Sequence, residues 1–264
     1  MRTASARPFS FCATALALFG LLHSASAHAQ TIALDVPFVP TPEPVVARML
    51  EMANVGPDDY VVDLGSGDGR IAISAVKDRG AKAAYGIDLN PQRIEEAEAN
   101  AQQAGVADKV VFEQGDLFKK DISDADVLTM YLLSTVNMRL RPVILDTLEP
   151  GTRVVSHAFS MEDWEPDRSD IVEGASIYLW IVPAKVAGNW QIESEGKTFQ
   201  VDLQQRFQEI SGTTQHQENL SGRLNGTELR FEVDGKLYVG QVEGDRIEPI
   251  SAEGAVTGWS ARRS

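Results

Sequence analysis

The chain has 264 residues, 43% hydrophobic and 23% charged, a composition that buries a core and excludes a disordered or collagen-like chain. Its length suits one large domain or a full domain with a smaller companion. Against 24 Lys and Arg stand 38 Asp and Glu, a net charge of −14, which repels phosphate backbones, argues against nucleic acid as a partner and either suits a cationic one or serves solubility alone.

The first 29 residues read apart from the rest. Arg2 and Arg7 make a positive start, an apolar run extends from Phe9 to Leu22, and small residues lead to Ala27-His28-Ala29. That is the order of a secretory signal peptide with an A-x-A cleavage pattern. The apolar run is short for a membrane span, and an uncleaved anchor is the alternative reading. The expected mature chain starts near Gln30, is periplasmic or secreted, and has no stable membrane insertion after cleavage. The only cysteine, Cys12, falls in the leader, so the mature chain offers no disulfide and no cysteine chemistry.

Residues 36–42, Val-Pro-Phe-Val-Pro-Thr-Pro, cannot form regular helix. A helical pattern follows from Glu43 to Asn54 and stops at Gly56-Pro57. Strands and helices then alternate. Strands are expected at Tyr60–Leu64, Ala83–Ile87, Val110–Phe112, Asp126–Leu132, Arg153–His157 and Ile177–Val182. Helices are expected at Arg70–Val76, Pro91–Gln103 and Thr135–Leu148. The second of these opens on proline and has Gly105 after its end. This alternation predicts a mostly parallel sheet covered on both faces. After Pro183 the pattern changes to short alternating stretches separated by Glu195-Gly196, Ser211-Gly212, Asn225-Gly226, Asp234-Gly235 and Glu243-Gly244. Leu229–Val233 and Lys236–Val242 flank Asp234-Gly235 as a hairpin. The expected architecture is therefore a Rossmann-like doubly wound α/β sheet in residues 30–183, with a C-terminal small antiparallel β module, a closed or half-closed barrel, in residues 184–264. The alternative is that some of the later strands extend the main sheet.

The stretch Asp63-Leu64-Gly65-Ser66-Gly67-Asp68-Gly69-Arg70 follows a strand and opens a helix. In a doubly wound sheet this is where ligands sit. Its glycines let the backbone approach a ligand, and the following helix N-terminus favours a carboxylate. A dinucleotide fingerprint counted from Gly65 requires a third glycine where Arg70 stands, which disfavours a nicotinamide oxidoreductase. The phosphate-binding G-x-x-x-x-G-K-[ST] is absent too. What remains suits a ligand with an amino-acid portion and no phosphates. Asp63 is expected to orient the glycine amides and, directly or through water, the ligand's ammonium. Asp88, at the next strand end and 25 residues on, is placed for ribose hydroxyls. Asp116 is placed for an adenine amino group, with Leu117 packing on the ring.

This pattern resembles motif I and the ribose and adenine acids of class I S-adenosylmethionine-dependent methyltransferases, over residues 36–183. A narrower resemblance, carried by Phe38-Val39-Pro40-Thr41-Pro42, Tyr131-Leu132-Leu133, Asn137 and Val154-Val155-Ser156-His157, is to small prokaryotic protein-lysine methyltransferases related to the FAM173 group. The resemblance implies S-adenosyl-L-methionine as cofactor and a small-molecule or protein-lysine acceptor. It places Gly65, Ser66 and Gly67 against the cofactor and Val39, Pro40 and Thr41 folded over it. Tyr131 ends the fourth strand, where its oxygen is expected either to steer an incoming amine or simply to pack. His157 reads as structural, Asp68 as loop-shaping. With His157 and His216 the only histidines beyond the leader, a metal site is not supported. A reading of a different class is an exported non-catalytic binding protein that retains the methyltransferase fold. The leader-like segment motivates it, because S-adenosylmethionine is made in the cytosol.

Overall fold

The computed structural model describes residues 38–264, all within one compact unit. The expected leader and the start of the proline-rich stretch lie outside the described residues. Helix α1 (Glu43–Met52) precedes a seven-stranded sheet built from β1 (Tyr60–Leu64), β2 (Ala83–Asp88), β3 (Val110–Gln114), β4 (Val127–Met130), β5 (Arg153–His157), β6 (Arg168–Val172) and β7 (Ala175–Ile181). Between them run α2 (Arg70–Lys77), α3 (Pro91–Ala104) and α4 (Ser134–Thr147). The strand order is β3-β2-β1-β4-β5-β7-β6. The first five strands are parallel, and β7 joins β5 antiparallel.

The sheet is buried on both faces, which is why its central strands read as continuous apolar runs. Val61, Val127 and Val155 pack with α1, α2 and α3 on one side. Val62, Leu64, Leu128, Met130 and Val154 pack with α4, Trp164 and Trp180 on the other. Fully burying each such aliphatic side chain contributes roughly 1.5–3 kcal/mol. Helix α3 begins and ends as its sequence predicts. The Asn90 side chain accepts from the Gln92 amide at 2.9 Å, Pro91 stands at the first position, and Gly105 terminates it at φ 72°.

The expected strand at Ile177–Val182 proves to be the second arm of a hairpin whose first arm, β6, the periodicity missed. Arg168, Ser169 and Ile171 are exposed, so β6 carries no apolar run to recognise. It forms because Glu173 (φ 51°) and Gly174 (φ 83°) make a tight turn of the hairpin type, which returns the chain antiparallel. The fourth strand is shorter than expected, since the chain leaves it at Tyr131.

Eight further strands close a barrel in the order β10-β11-β12-β13-β14-β15-β8-β9. They are β8 (Gly188–Ser194), β9 (Lys197–Arg206), β10 (Glu209–Thr214), β11 (Asn219–Asn225), β12 (Glu228–Val233), β13 (Lys236–Glu243), β14 (Arg246–Pro249) and β15 (Trp259–Arg263). Pairing of β15 with β8 completes the closure and leaves no open edge. Strand alternation turns Trp190, Ile192, Leu203, Phe231, Tyr238 and Trp259 inward, so the barrel is a packed core.

Candidate active site

The carboxyl ends of β1, β2, β4 and β5 share one rim of the sheet. The loop after β1 bends sharply there, with Gly65, Gly67 and Gly69 at φ 75°, 54° and 79°. The Gly65 and Ser66 amides donate to the Ile87 carbonyl at 2.9 and 3.0 Å, and the Gly67 amide donates to Asp88 Oδ2 at 3.0 Å. The loop is thus oriented by β2, and the expectation that Asp63 orients its amides is corrected. Two glycines are also required by space. A Cβ at Gly67 would stand 2.4 Å from the Phe38 ring, and one at Gly65 would stand 2.8 Å from Leu132 Cδ2.

Phe38 belongs to a strap, residues 38–41, that crosses the loop. Arg70 ties it down. Its guanidinium grips Asp68 through Nε to Oδ1 at 3.0 Å and Nη2 to Oδ2 at 2.5 Å, and Nη1 donates to the Thr41 carbonyl at 2.8 Å. Arg93 lies over the Phe38 ring at 4.6 Å. The buried Thr41 hydroxyl meets His157 Nδ1 at 3.1 Å. Burial holds the His157 imidazole below its ordinary pKa, and its ring packs 3.8 Å from that of Tyr131.

Loop, strap and strand ends enclose a cavity of about 260 Å3. Of the residues expected at the site, Val39, Pro40, Thr41, Gly65, Ser66, Gly67, Asp88 and Tyr131 line it. Asp63 does not. It lies behind the loop, 1% exposed, with Oδ1 accepting from Thr129 Oγ1 at 2.6 Å and Oδ2 without a partner. Burial raises its pKa to about 7. The Thr129 hydrogen bond opposes that rise, and the charges of Asp68 and Asp88 add to it. Asp116 and Leu117 follow β3 on the adjoining loop and are not lining residues. The Asp116 carboxylate accepts from the Phe118 amide at 3.0 Å and pairs with Lys119 at 3.3 Å, both of which lower its pKa. Leu117 packs against the core beneath.

The sequence reading missed Phe38, Thr129 and Phe159 as site residues, and noticed Arg70 only as a missing glycine. Phe159 lines the cavity with its ring stacked 6.1 Å from Tyr131. It stands in a loop after β5 whose sequence carries no motif. Thr129 had one available signal, a lone hydroxyl inside the apolar run Val127-Leu128-Thr129-Met130.

The model of a family described as the ANTKMT methyltransferase domain matches residues 63–168. A protein-lysine N-methyltransferase of Saccharolobus islandicus is 48% identical over 151 residues, which are 56% of this chain and 94% of that protein. The adenine nucleotide translocase lysine N-methyltransferase of Mus musculus is 34% identical over 133 residues, 50% of this chain and 57% of that one. Among solved structures, an RNA methyltransferase from Salinibacter ruber in complex with S-adenosyl-L-homocysteine is similar at 53% identity and a TM-score of 0.55. That match covers 56% of this chain and 96% of that one. The cofactor is S-adenosyl-L-methionine. The residues present fit it: the side-chain-free backbone of Gly65 and Gly67 forms part of the cavity wall, and the unpartnered Asp63 oxygen behind the loop is a buried acceptor suited to an ammonium group.

Proposed function

The chain belongs to the ANTKMT-type family of S-adenosyl-L-methionine-dependent methyltransferases, and from that premise we propose that it methylates the side-chain amine of lysine in a protein. When bound, the cofactor supplies a methyl group activated by its attachment to a sulfonium. The chain supplies position and a dry wall. Asp63 Oδ2, with the backbone of Gly65, Ser66 and Gly67, holds the amino-acid end. Asp88 keeps lone pairs free for ribose hydroxyls beyond its two bonds to the Gly67 and Asn90 amides. Asp116 and Leu117 hold the adenine side, and Val39, Pro40 and Thr41 cover it. Tyr131 and Phe159 face the acceptor. Their aromatic faces attract a cationic amine, and with Leu132 and Leu133 they exclude water. Desolvation at such a wall disfavours the charged ammonium, so the amine sheds its proton to solvent on entry and presents its lone pair. In-line displacement needs little beyond this positioning.

One observation carries the proposal: the glycine loop and the strap wall one side of a cavity whose other side is the aromatic pair Tyr131 and Phe159. The relatives named as lysine methyltransferases support the acceptor, and so does the net charge of −14, which suits a basic protein and repels RNA. The alternative of a non-catalytic binding protein is not favoured by such relatives. Export to the periplasm or beyond stays part of the proposal, supported by residues 1–29 alone. Sequencing the N-terminus of the native protein tests it, and a start at Met1 would contradict it.

Incubation with radiolabelled S-adenosyl-L-methionine and separated protein and RNA fractions tests the acceptor. Label on lysine, located by mass spectrometry, is the expected result. Label confined to RNA would overturn the lysine reading. Tight S-adenosyl-L-homocysteine binding with no turnover on either fraction would revive the binding-protein alternative.

A further inference from the structure

The barrel has no part in the cofactor site, yet one of its turns packs against residues 163–165 of the segment that carries the wall residue Phe159. The chain leaves β5 through residues 158–167, and two non-glycine residues there, Ala158 (φ 64°) and Glu162 (φ 55°), adopt left-handed backbone. Each costs roughly 1–2 kcal/mol, so surrounding contacts must hold the segment in place. From the sheet side, α4 contributes Asn137, whose Nδ2 donates to the Phe159 carbonyl at 3.1 Å. It also contributes Arg141, whose Nη1 donates to the Met161 carbonyl at 3.0 Å and to Asp163 at 2.5 Å. From the barrel side, the β9–β10 turn closes on residues 163–165 of the same segment, sharing Asp163 with Arg141. Gln208, 2% exposed, accepts from Trp164 Nε1 at 2.9 Å and donates Nε2 to the Glu165 carbonyl at 2.7 Å. Phe207 stacks on Trp164 at 5.8 Å, and Arg206 pairs with the second Asp163 oxygen at 2.9 Å. Asp163 is thus clasped by one arginine from the sheet domain and one from the barrel.

From this geometry we propose that the β9–β10 turn is a positioning element for the acceptor: through Gln208 and Arg206 the barrel sets the post-β5 segment, and with it the Phe159 wall that an incoming lysine meets. The inference rests on the lysine reading for its substrate and on the structure for its lever. The Saccharolobus relative is matched over 94% of its length by 151 residues of this chain, too few to span the sheet domain and the barrel together. The turn is therefore a feature this chain adds to that relative's plan. It gives the barrel a role in selecting the acceptor while leaving the cofactor side untouched, since Gln208 and Arg206 contact none of the loop, the strap or Asp88.

Two full-length variants test this. Gln208→Leu removes both buried hydrogen bonds, and Arg206→Ala removes an exposed contact without threat to folding. Three quantities are measured: amide exchange across residues 158–165, calorimetric affinity for S-adenosyl-L-homocysteine, and the KM and kcat for a lysine-containing basic peptide. In Gln208→Leu the expected result is exchange at least about tenfold faster in that segment, an acceptor KM raised about tenfold, and cofactor affinity within about twofold of the parent. Arg206→Ala should show the same pattern at smaller amplitude. Unchanged exchange in 158–165 in both variants would overturn the proposal. So would cofactor affinity falling in step with the rise in acceptor KM, which marks a general structural loss. Should Gln208→Leu not fold, Arg206→Ala decides alone. If the parent methylates no lysine peptide, the lysine reading fails, while the exchange result still judges whether the barrel holds the segment.

Discussion

A carboxylate with one oxygen bonded to Thr129 and the other unpartnered is costly to keep ionised inside a protein, which is why Asp63 is pushed up to about 7. Its unfolded value is near 3.8, so the free folded protein holds this proton more tightly than the unfolded chain. The contribution to stability is complete below about pH 4 and is lost as pH rises through 7. Bound ligand reverses the preference, because an ammonium beside Oδ2 selects the ionised form. Affinity for S-adenosyl-L-homocysteine should therefore rise with pH across neutrality. Asp63→Asn retains an acceptor for Thr129 and removes the charge. Denaturant unfolding of the unliganded variant at pH 8 should show a gain on the order of 2–4 kcal/mol. Calorimetry should show affinity about 10–100-fold weaker and no longer pH-dependent between 6 and 8. A variant that binds like the parent would remove Asp63 from the site. Asp63 was legible because an acid at the end of an apolar run before a glycine loop is a local pattern. Its partner Thr129 is 66 residues away, and only the β1–β4 register places Asp63 beside it.

At the level of elements, the strap and the glycine loop are joined by one side chain. Arg70 begins α2, yet its guanidinium spans from Asp68 to the Thr41 carbonyl and so fixes the strap over the cavity. Arg70→Ala should leave the loop's bonds to Ile87 and Asp88 intact while freeing the strap. Stopped-flow dissociation of S-adenosyl-L-homocysteine should then quicken about tenfold, with a stability loss of only about 1 kcal/mol because the ion pair is partly exposed. An unchanged dissociation rate would mean that the strap does not retain the ligand. The elements most legible in the sequence were those with local signals. Helix α3 was bounded by Pro91 and Gly105, and the β12–β13 hairpin by Asp234-Gly235. Strand β6 was illegible because an exposed edge needs no apolar face, and its pairing comes from β7.

Taken as a whole, the molecule carries 38 acidic against 24 basic residues. Such a field attracts basic partners over a distance set by the Debye length, roughly 10 Å at 0.1 M salt and 3 Å at 1 M. With a lysine-rich peptide as acceptor, KM should rise several-fold between 0.05 and 0.5 M salt, while affinity for S-adenosyl-L-homocysteine changes little. Salt-independent KM would remove charge from acceptor selection. The closure of eight strands into a barrel, against the alternative of strands added to the main sheet, was also a property of the whole. Alternation predicted short strands and the Asp234-Gly235 hairpin, but the pairing of β15 with β8 joins residues far apart in the chain.

The linear order of residues sufficed for the alternation of strands and helices, the glycine bend, the strand-end acids and four of the five expected turns of the C-terminal module, Ser211-Gly212 lying instead inside β10. Each of these is written within a few consecutive positions by backbone sterics or apolar periodicity. Long-range contacts decided the rest: that Asp88 orients the loop while Asp63 lies beneath it, that Arg70 ties the strap, and that Phe159 faces Tyr131. Such contacts depend on register and packing between segments tens of residues apart, and no local pattern encodes them.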